Sequence, residues 1–465
     1  MEFSDLLARV WDATGGFDHP GDQTLDAVTI TGPRVVLPSA FDVTGLATSA
    51  VAAATLGAAQ LHAARRSAPV APVEVDSGRA CDAFVAERLV TPIGWELPPL
   101  WDPIAGNYRA ADAWIRLHTN YAHHHAAVRD VLGADDRDGV QAALADRAAV
   151  EVESAIVAAG GAAAVMRTRD EWLDSPAGQA TRDAPLFTFD DHDGTAPAGW
   201  VRRSGDLPFS GVRVLDLTRV IAGPVCTKFL AAYGADVLRL DPPGFEEVAS
   251  LLPEGTVGKR TAAVDLTDRE GRAAFEALVA EADVLVVGYR ADALARQGYD
   301  DARLAALNPA LITARFNAYG WEGPWRNRRG FDSLVQMSCG MAADGAAAHG
   351  TDEPTPLPAQ ALDHATGWLL AATVARALTR QLSASVSTHI KGSLIGTADL
   401  LYSLTPPDNP LTAAVQTAAE LEDTPTAWGL AQRVPMPGRI GAVGARWAHE
   451  AGPLGRHAAR WESDR

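Results

Sequence analysis

Gly211-Val-Arg-Val-Leu-Asp-Leu-Thr-Arg-Val-Ile-Ala-Gly-Pro224 decides the fold. Val212, Val214, Leu215 and Leu217 form a short apolar run that reads as a strand, Gly223-Pro224 interrupts it, and Val225 to Tyr233 follows with helical spacing. A second apolar run, Ala235-Asp-Val-Leu-Arg-Leu-Asp241, comes next and ends at Pro242-Pro-Gly244. Strand, helix and strand at this spacing predict a βαβ unit in a doubly wound, mainly parallel α/β sheet, with ligand bound beyond the carboxyl ends of the strands.

Working outward, the chain is 465 residues long, which predicts more than one lobe. Its composition, 47% hydrophobic and 21% charged, is that of a globular protein. A net charge of −18 argues against nucleic acid as a partner, because a surplus of carboxylates repels a phosphate polymer. No apolar run reaches the roughly 18 residues that a membrane span needs, and Leu46 to Ala59 reads as a packed helix. Three cysteines and no leading signal peptide predict a reducing, cytoplasmic setting, with Cys81, Cys226 and Cys339 as buried thiols. His118 with His123-His-His125 lacks a ligand set at metal spacing, so no metal is expected and these side chains read as solvent-facing or capping. Gly160-Gly-Ala-Ala-Ala164 reads as a helix end, because no Lys-Ser/Thr pair follows it.

An internal repeat organises the rest. Val36-Leu-Pro-Ser-Ala-Phe-Asp42, an Ala-rich helix and Val73-Glu-Val-Asp-Ser77 follow the same plan as Pro356-Leu-Pro-Ala-Gln-Ala-Leu-Asp363, an Ala-rich helix and His389-Ile-Lys-Gly-Ser393. Asn107 to His118 alternates like a strand, and Ala126 to Leu173 is mostly helical in period. The predicted division is residues 1–105, a smaller α+β domain at 106–189, a polar linker at 190–205, a Rossmann-like domain at 206–404 and a tail at 405–465.

The opening stretch, with Gly234-Ala-Asp-Val-Leu-Arg-Leu-Asp-Pro-Pro243, Gly258-Lys-Arg-Thr-Ala-Ala-Val-Asp-Leu266, Ala282-Asp-Val-Leu-Val-Val287 and Leu307-Asn-Pro-Ala-Leu-Ile312, resembles the class III CoA-transferases. Formyl-CoA and carnitinyl-CoA transferases belong to that family, and α-methylacyl-CoA racemase is a relative. The resemblance implies an enzyme with CoA and acyl-CoA as substrates, no permanently bound cofactor, a carboxylic acid as second substrate and a dimeric assembly. It makes the post-aspartate segment at 1–105 and the small-domain-like segment at 106–189 precede the CoA-binding half, a permuted or partly duplicated order. A homodimer, or a complex with a related chain, is expected to cover the sheet edge left by the missing half.

Asp363 corresponds to the family's nucleophile, whose carboxylate attacks an acyl-CoA thioester to give an acyl-aspartyl anhydride and CoA thiolate. An ordinary carboxylate is ionised at neutral pH without help. Without the resemblance, Asp363 reads equally as a helix cap, and capping is the expectation for Asp42. For CoA the resemblance implies backbone contacts at Ile221 and Ala222, phosphate contacts from Arg296 and Arg329, a basic pair Lys259-Arg260 by the adenine, and further contacts at Arg239, Gly288 and Tyr289. Where members read Val-Glu-Asn-Phe-Arg-Pro-Gly, this chain reads Val286-Val-Gly-Tyr-Arg-Ala-Asp292 and lacks the asparagine. Where the racemases read Gly-His-Asp, it reads Gly330-Phe-Asp332, and phenylalanine moves no proton. The alternatives to CoA transfer are a racemase-like isomerase and a non-catalytic CoA-binding subunit.

Overall fold

The computed structural model describes residues 2–15, 24–193, 199–203, 205–384, 386–412 and 419–462. Its centre is a seven-stranded sheet in the order Lys259–Ala263, Asp236–Asp241, Arg213–Leu217, Val284–Val287, Ile312–Asn317, Val386–Ser393 and Phe187–Asp193. Every neighbouring pair is parallel except the last. The strand Arg213–Leu217 is buried along its whole length and sits where the strand order reverses. That reversal opens a crevice beyond the carboxyl ends of the strands.

The repeat is visible as architecture. Helices Val43–Arg66 and Ala361–Ala384 have 24 residues each and pack against each other. Their Ala- and Gly-rich faces permit close approach: a Cβ at Gly57 would stand 3.1 Å from the Ala375 Cβ. After the first helix, Val73–Asp76 lies parallel to Val28–Thr31 and antiparallel to Gly438–Ile440. After the second, Val386–Ser393 lies parallel to Ile312–Asn317 and antiparallel to Phe187–Asp193. The amino-terminal half thus carries a three-strand counterpart of one end of the main sheet. Asp42 caps its helix through the Gly45 N–H at 2.8 Å and pairs with Arg34, so capping describes it.

Three predicted boundaries differ. The polar segment 190–205 begins inside an edge strand, because its polar side chains find partners across the pair: Thr388 Oγ1 donates to Asp191 at 2.9 Å, and the His192 and His389 rings stack at 4.3 Å. Residues 194–198 and 204 of that segment lie outside the described residues. Asn107 to His118 forms two strands, Gly106–Arg109 and Trp114–Leu117, paired with Ala163–Val165 in a separate antiparallel sheet. The region after Ala126 is broken by that third strand. Helices Ala122–Leu132, Arg137–Leu144 and Ala149–Ala158 cover this small sheet and share its core with Tyr108, Ile115 and Leu117. Among the described residues, no helix is long and apolar enough to cross a membrane.

Candidate active site

A cleft of about 430 Å³ lies at the strand-order reversal. Leu217, Gly288, Tyr289 and Asn317 line it from the large sheet, Asp363 from the long helix, and Tyr121, His123 and His124 from the small domain. Residues separated by the whole length of the amino-terminal half therefore share one wall.

Asp363 sits in the first turn of its helix, 6% exposed. Asp332 fastens that turn, its Oδ2 accepting the N–H groups of Leu362 at 2.8 Å and Asp363 at 3.0 Å. Gln336 donates to the other Asp332 oxygen, and its own carbonyl accepts from Leu357 N. The capping task thus falls to Asp332. Among the described residues the Asp363 carboxylate has no hydrogen-bond or ion-pair partner. Burial, then the neighbouring charges of Asp332 and Glu87, push its pKa well above the carboxylate range. Burial raises Asp332 as well, but three donors hold its charge, so of this coupled pair Asp363 takes the first proton. The expectation that Asp363 ionises without help is corrected here: the fold disfavours its charge. His364 adds a second buried contact, its Nε2 at 3.0 Å from Glu87 and its ring stacked on Phe84. Burial opposes the Glu87 charge, and the adjacent His364 outweighs it, leaving that carboxyl below its ordinary value.

Cations gather elsewhere in the cleft. Arg219, Arg290 and Arg329 line it, and Arg296 is exposed in the short helix Ala293–Arg296 beside it. Among the described residues none of the four has an ion-pair partner. Burial, then Arg329 and Arg296, lower the Arg290 pKa, so these three guanidinium groups feel one another. Arg219 lies over the Phe245 ring at 3.8 Å.

The other basic residues singled out from sequence stand apart. Arg239 is buried between Asp241 at 2.8 Å and Glu247 at 2.9 Å. Lys259 pairs with Asp216 at 3.0 Å, and Arg260 with Asp236 at 2.8 Å. None of the three lines the cleft. Arg239 reaches it indirectly, since Glu247 also accepts the Val220 N–H at 3.0 Å and the Tyr121 hydroxyl at 2.6 Å. Val220 has φ of 57°, an unfavourable conformation for a β-branched residue, and Glu247 holds it there. Ile221 and Ala222 are buried behind Val220 rather than facing the cleft. Gly288 and Tyr289 do face it, and a Cβ at Gly288 would meet the Phe316 ring at 2.7 Å. The missing asparagine is thus matched by an aromatic ring in its space.

The histidine reading is also corrected. His118 and His124 are 4% and 2% exposed, and His118 stacks on Phe331 at 3.6 Å. Burial lowers both pKa values, that of His124 to about 3, so both rings are neutral. His125 bonds Asp102 at 2.9 Å. Cys81, Cys226 and Cys339 are buried, and burial pushes their thiols up, Cys339 to about 12. Among the described residues no cluster of His, Cys, Asp or Glu is placed to hold a metal.

Arg219, Arg290 and Asp332 lie within stretches quoted for other reasons, and their sequence signal was three more charged residues. Glu87 had no signal, because only the fold brings the amino-terminal half to Asp363, and the run His123-His-His125 showed histidines without showing that His124 faces the cleft.

Residues 209–427 match the family described as CoA-transferase family III. The chain is 34% identical over 184 residues to a probable fatty acyl-CoA transferase, Rv3272, of Mycobacterium tuberculosis, covering 37% of this chain and 46% of that protein. It is 31% identical over 210 residues to a succinate–glutarate CoA-transferase of Agrobacterium fabrum, covering 40% of this chain and 51% of that one. A crystal structure of Rv3272 aligns at 30% identity over 42% of this chain and 57% of that chain, with a TM-score of 0.39. The chain spans about half the length, or less, of the curated relatives it matches.

Proposed function

From the match of residues 209–427 to CoA-transferase family III, we propose that this chain moves CoA between an acyl-CoA and a carboxylic acid through Asp363. One observation carries the reading: an unpartnered, buried carboxylate shares a cleft with three arginines that have no ion-pair partner among the described residues. A carboxylate without donors is a strong nucleophile once ionised, and unpaired guanidinium groups suit the phosphates of CoA.

In the proposed reaction an Asp363 oxygen bonds to the thioester carbonyl carbon, the carbon–sulfur bond breaks, and CoA leaves with the electron pair as thiolate. The thiolate then attacks the Asp363 carbonyl carbon of the mixed anhydride and expels the donor carboxylate. The acceptor carboxylate displaces the thiolate from the resulting aspartyl thioester, and the thiolate attacks the acceptor carbonyl of the new anhydride, releasing the acceptor's CoA thioester and free Asp363. Asp363 must lose its proton first, so activity rises with pH through its elevated pKa. Asp332 fixes the Asp363 backbone while its own charge sharpens the nucleophile. Arg329 and Arg290 hold the phosphates, with Arg296 at the outside, and Arg239 acts through Glu247 on the Val220 turn.

We also propose a dimer, of two copies or with a related chain, covering the open edge of Val28–Thr31; a monomer by light scattering at micromolar concentration would refute it. One contact favours a second reading, isomerisation of a 2-methylacyl-CoA: His118 stacks on Phe331, the position of the racemases' histidine. Deuterium uptake at the acyl α-carbon in D₂O without CoA transfer would favour it.

The test is an acyl-CoA and acid panel followed by mass spectrometry. Transfer that Asp363→Ala abolishes while CoA binding stays within a few-fold supports the proposal. Transfer unchanged in that variant refutes it.

A further inference from the structure

A second cavity, of about 230 Å³, has Asp332 in its wall and shares no lining residue with the cleft. It is lined by residues of the small domain, including Trp101 and Arg116, and of the catalytic half, including Ser333, Met337 and Leu357. That volume equals about eight liquid waters, enough for a small organic molecule.

Its polar groups are incompletely satisfied. Arg116 donates through Nη1 to Asn107 at 2.9 Å and lies 5.1 Å from the centre of the Trp101 ring, but its Nε has no partner. Among the described residues it has no ion pair. A largely enclosed cation normally has a counter-charge, because its desolvation is otherwise uncompensated. Ser333 is 9% exposed, and its Oγ likewise has no partner. Asp332 does not neutralise Arg116 by contact, since its oxygens are engaged by Gln336 and the N–H groups of Leu362 and Asp363. Arg88 stands at the cavity too, partly offset by Glu87 at 3.7 Å.

We propose that this cavity is a binding site for a small organic monocarboxylate, its carboxylate on Arg116 and Ser333 and its body against Trp101, Met337 and Leu357. Arg116 has no contact ion pair, the Asp332 charge acting on it only at a distance, and with Arg88 beside it the wall can take one negative charge, while the apolar walls suit a carbon skeleton better than inorganic phosphate. The site is separate from the cleft and stands whether or not Asp363 transfers acyl groups.

Sodium benzoate serves as the probe, titrated by calorimetry and ligand-observed NMR against the full chain. Saturable millimolar or tighter binding is expected, weakened about tenfold or more by Arg116→Met and about threefold by Ser333→Ala. Arg329→Met, in the cleft, leaves it within about twofold. Ser333→Ala, a small change, decides the matter if Arg116→Met does not fold. No saturable binding in the millimolar range, equal binding to both cavity variants, or equal displacement by inorganic phosphate would each overturn the assignment.

Discussion

Replacing Arg329 by methionine keeps most of the side-chain volume and removes one charge from the cleft. Arg329 has no ion pair among the described residues and is one of two neighbours whose charges lower the Arg290 pKa. In the free protein the substitution therefore breaks no salt bridge and relieves repulsion, so the unliganded protein should melt at the same temperature or slightly higher. In the complex it removes a charge-assisted contact to a CoA phosphate, typically about 1.5–3 kcal/mol. That range corresponds to a dissociation constant about 12- to 150-fold weaker. The remaining interaction should also depend less on salt, because the lost term is the one that ions screen over about 8 Å at physiological strength. Calorimetry of CoA at low and moderate salt, with thermal unfolding of both proteins, measures all three quantities. An unchanged dissociation constant would place Arg329 outside the phosphate site. A loss of several degrees in the unliganded protein would show that it holds the fold instead, and would refute the reasoning.

Asp363→Asn should be more stable than the parent at high pH, and the gap should widen with pH. The raised folded-state pKa contributes stability that is complete below about 4 and lost as pH rises through the elevated value; parallel melting curves at pH 5 and pH 8 would contradict this. Glu87→Gln removes one of the charges holding the proton on Asp363, so the pH at which Asp363 reacts with a carbodiimide-type reagent should move down, and an unmoved profile would exclude electrostatic coupling between them. Arg239→Met breaks a buried pair with Asp241 and Glu247, so denaturant unfolding should show about 3–5 kcal/mol lost. Gly57→Val crowds the Ala375 and Ala372 wall and should cost about 1–3 kcal/mol in the same assay.

Much of this fold was legible because its central strands are apolar runs punctuated by Gly and Pro. Val212 to Leu217 is buried on both faces and announces itself by hydrophobicity alone. The edge strand Phe187–Asp193 did not, because an edge strand with polar partners reads as a turn-rich linker. The site divided along the same line. Asp363 stood in a stretch whose wording is distinctive, whereas Arg239 and Lys259 carried charge without showing whether it was free. Only their pairing with Asp241, Glu247 and Asp216 tells a buried structural cation from one facing ligand. The raised pKa of Asp363 was invisible for the same reason. Its causes are burial and then the charges of Asp332 and Glu87, which lie 31 and 276 positions earlier in the chain and meet it only through the packing of two halves.

In the proposed reaction the acyl group passes through one carboxylate, Asp363. Incubating the protein with an acyl-CoA that it turns over, trapping with hydroxylamine and sequencing the peptides by mass spectrometry tests this directly. A hydroxamate is expected on Asp363 that requires acyl-CoA, increases with pH and is absent from Asp363→Asn. Turnover with no modification at Asp363, or a modification on another carboxylate, would contradict it.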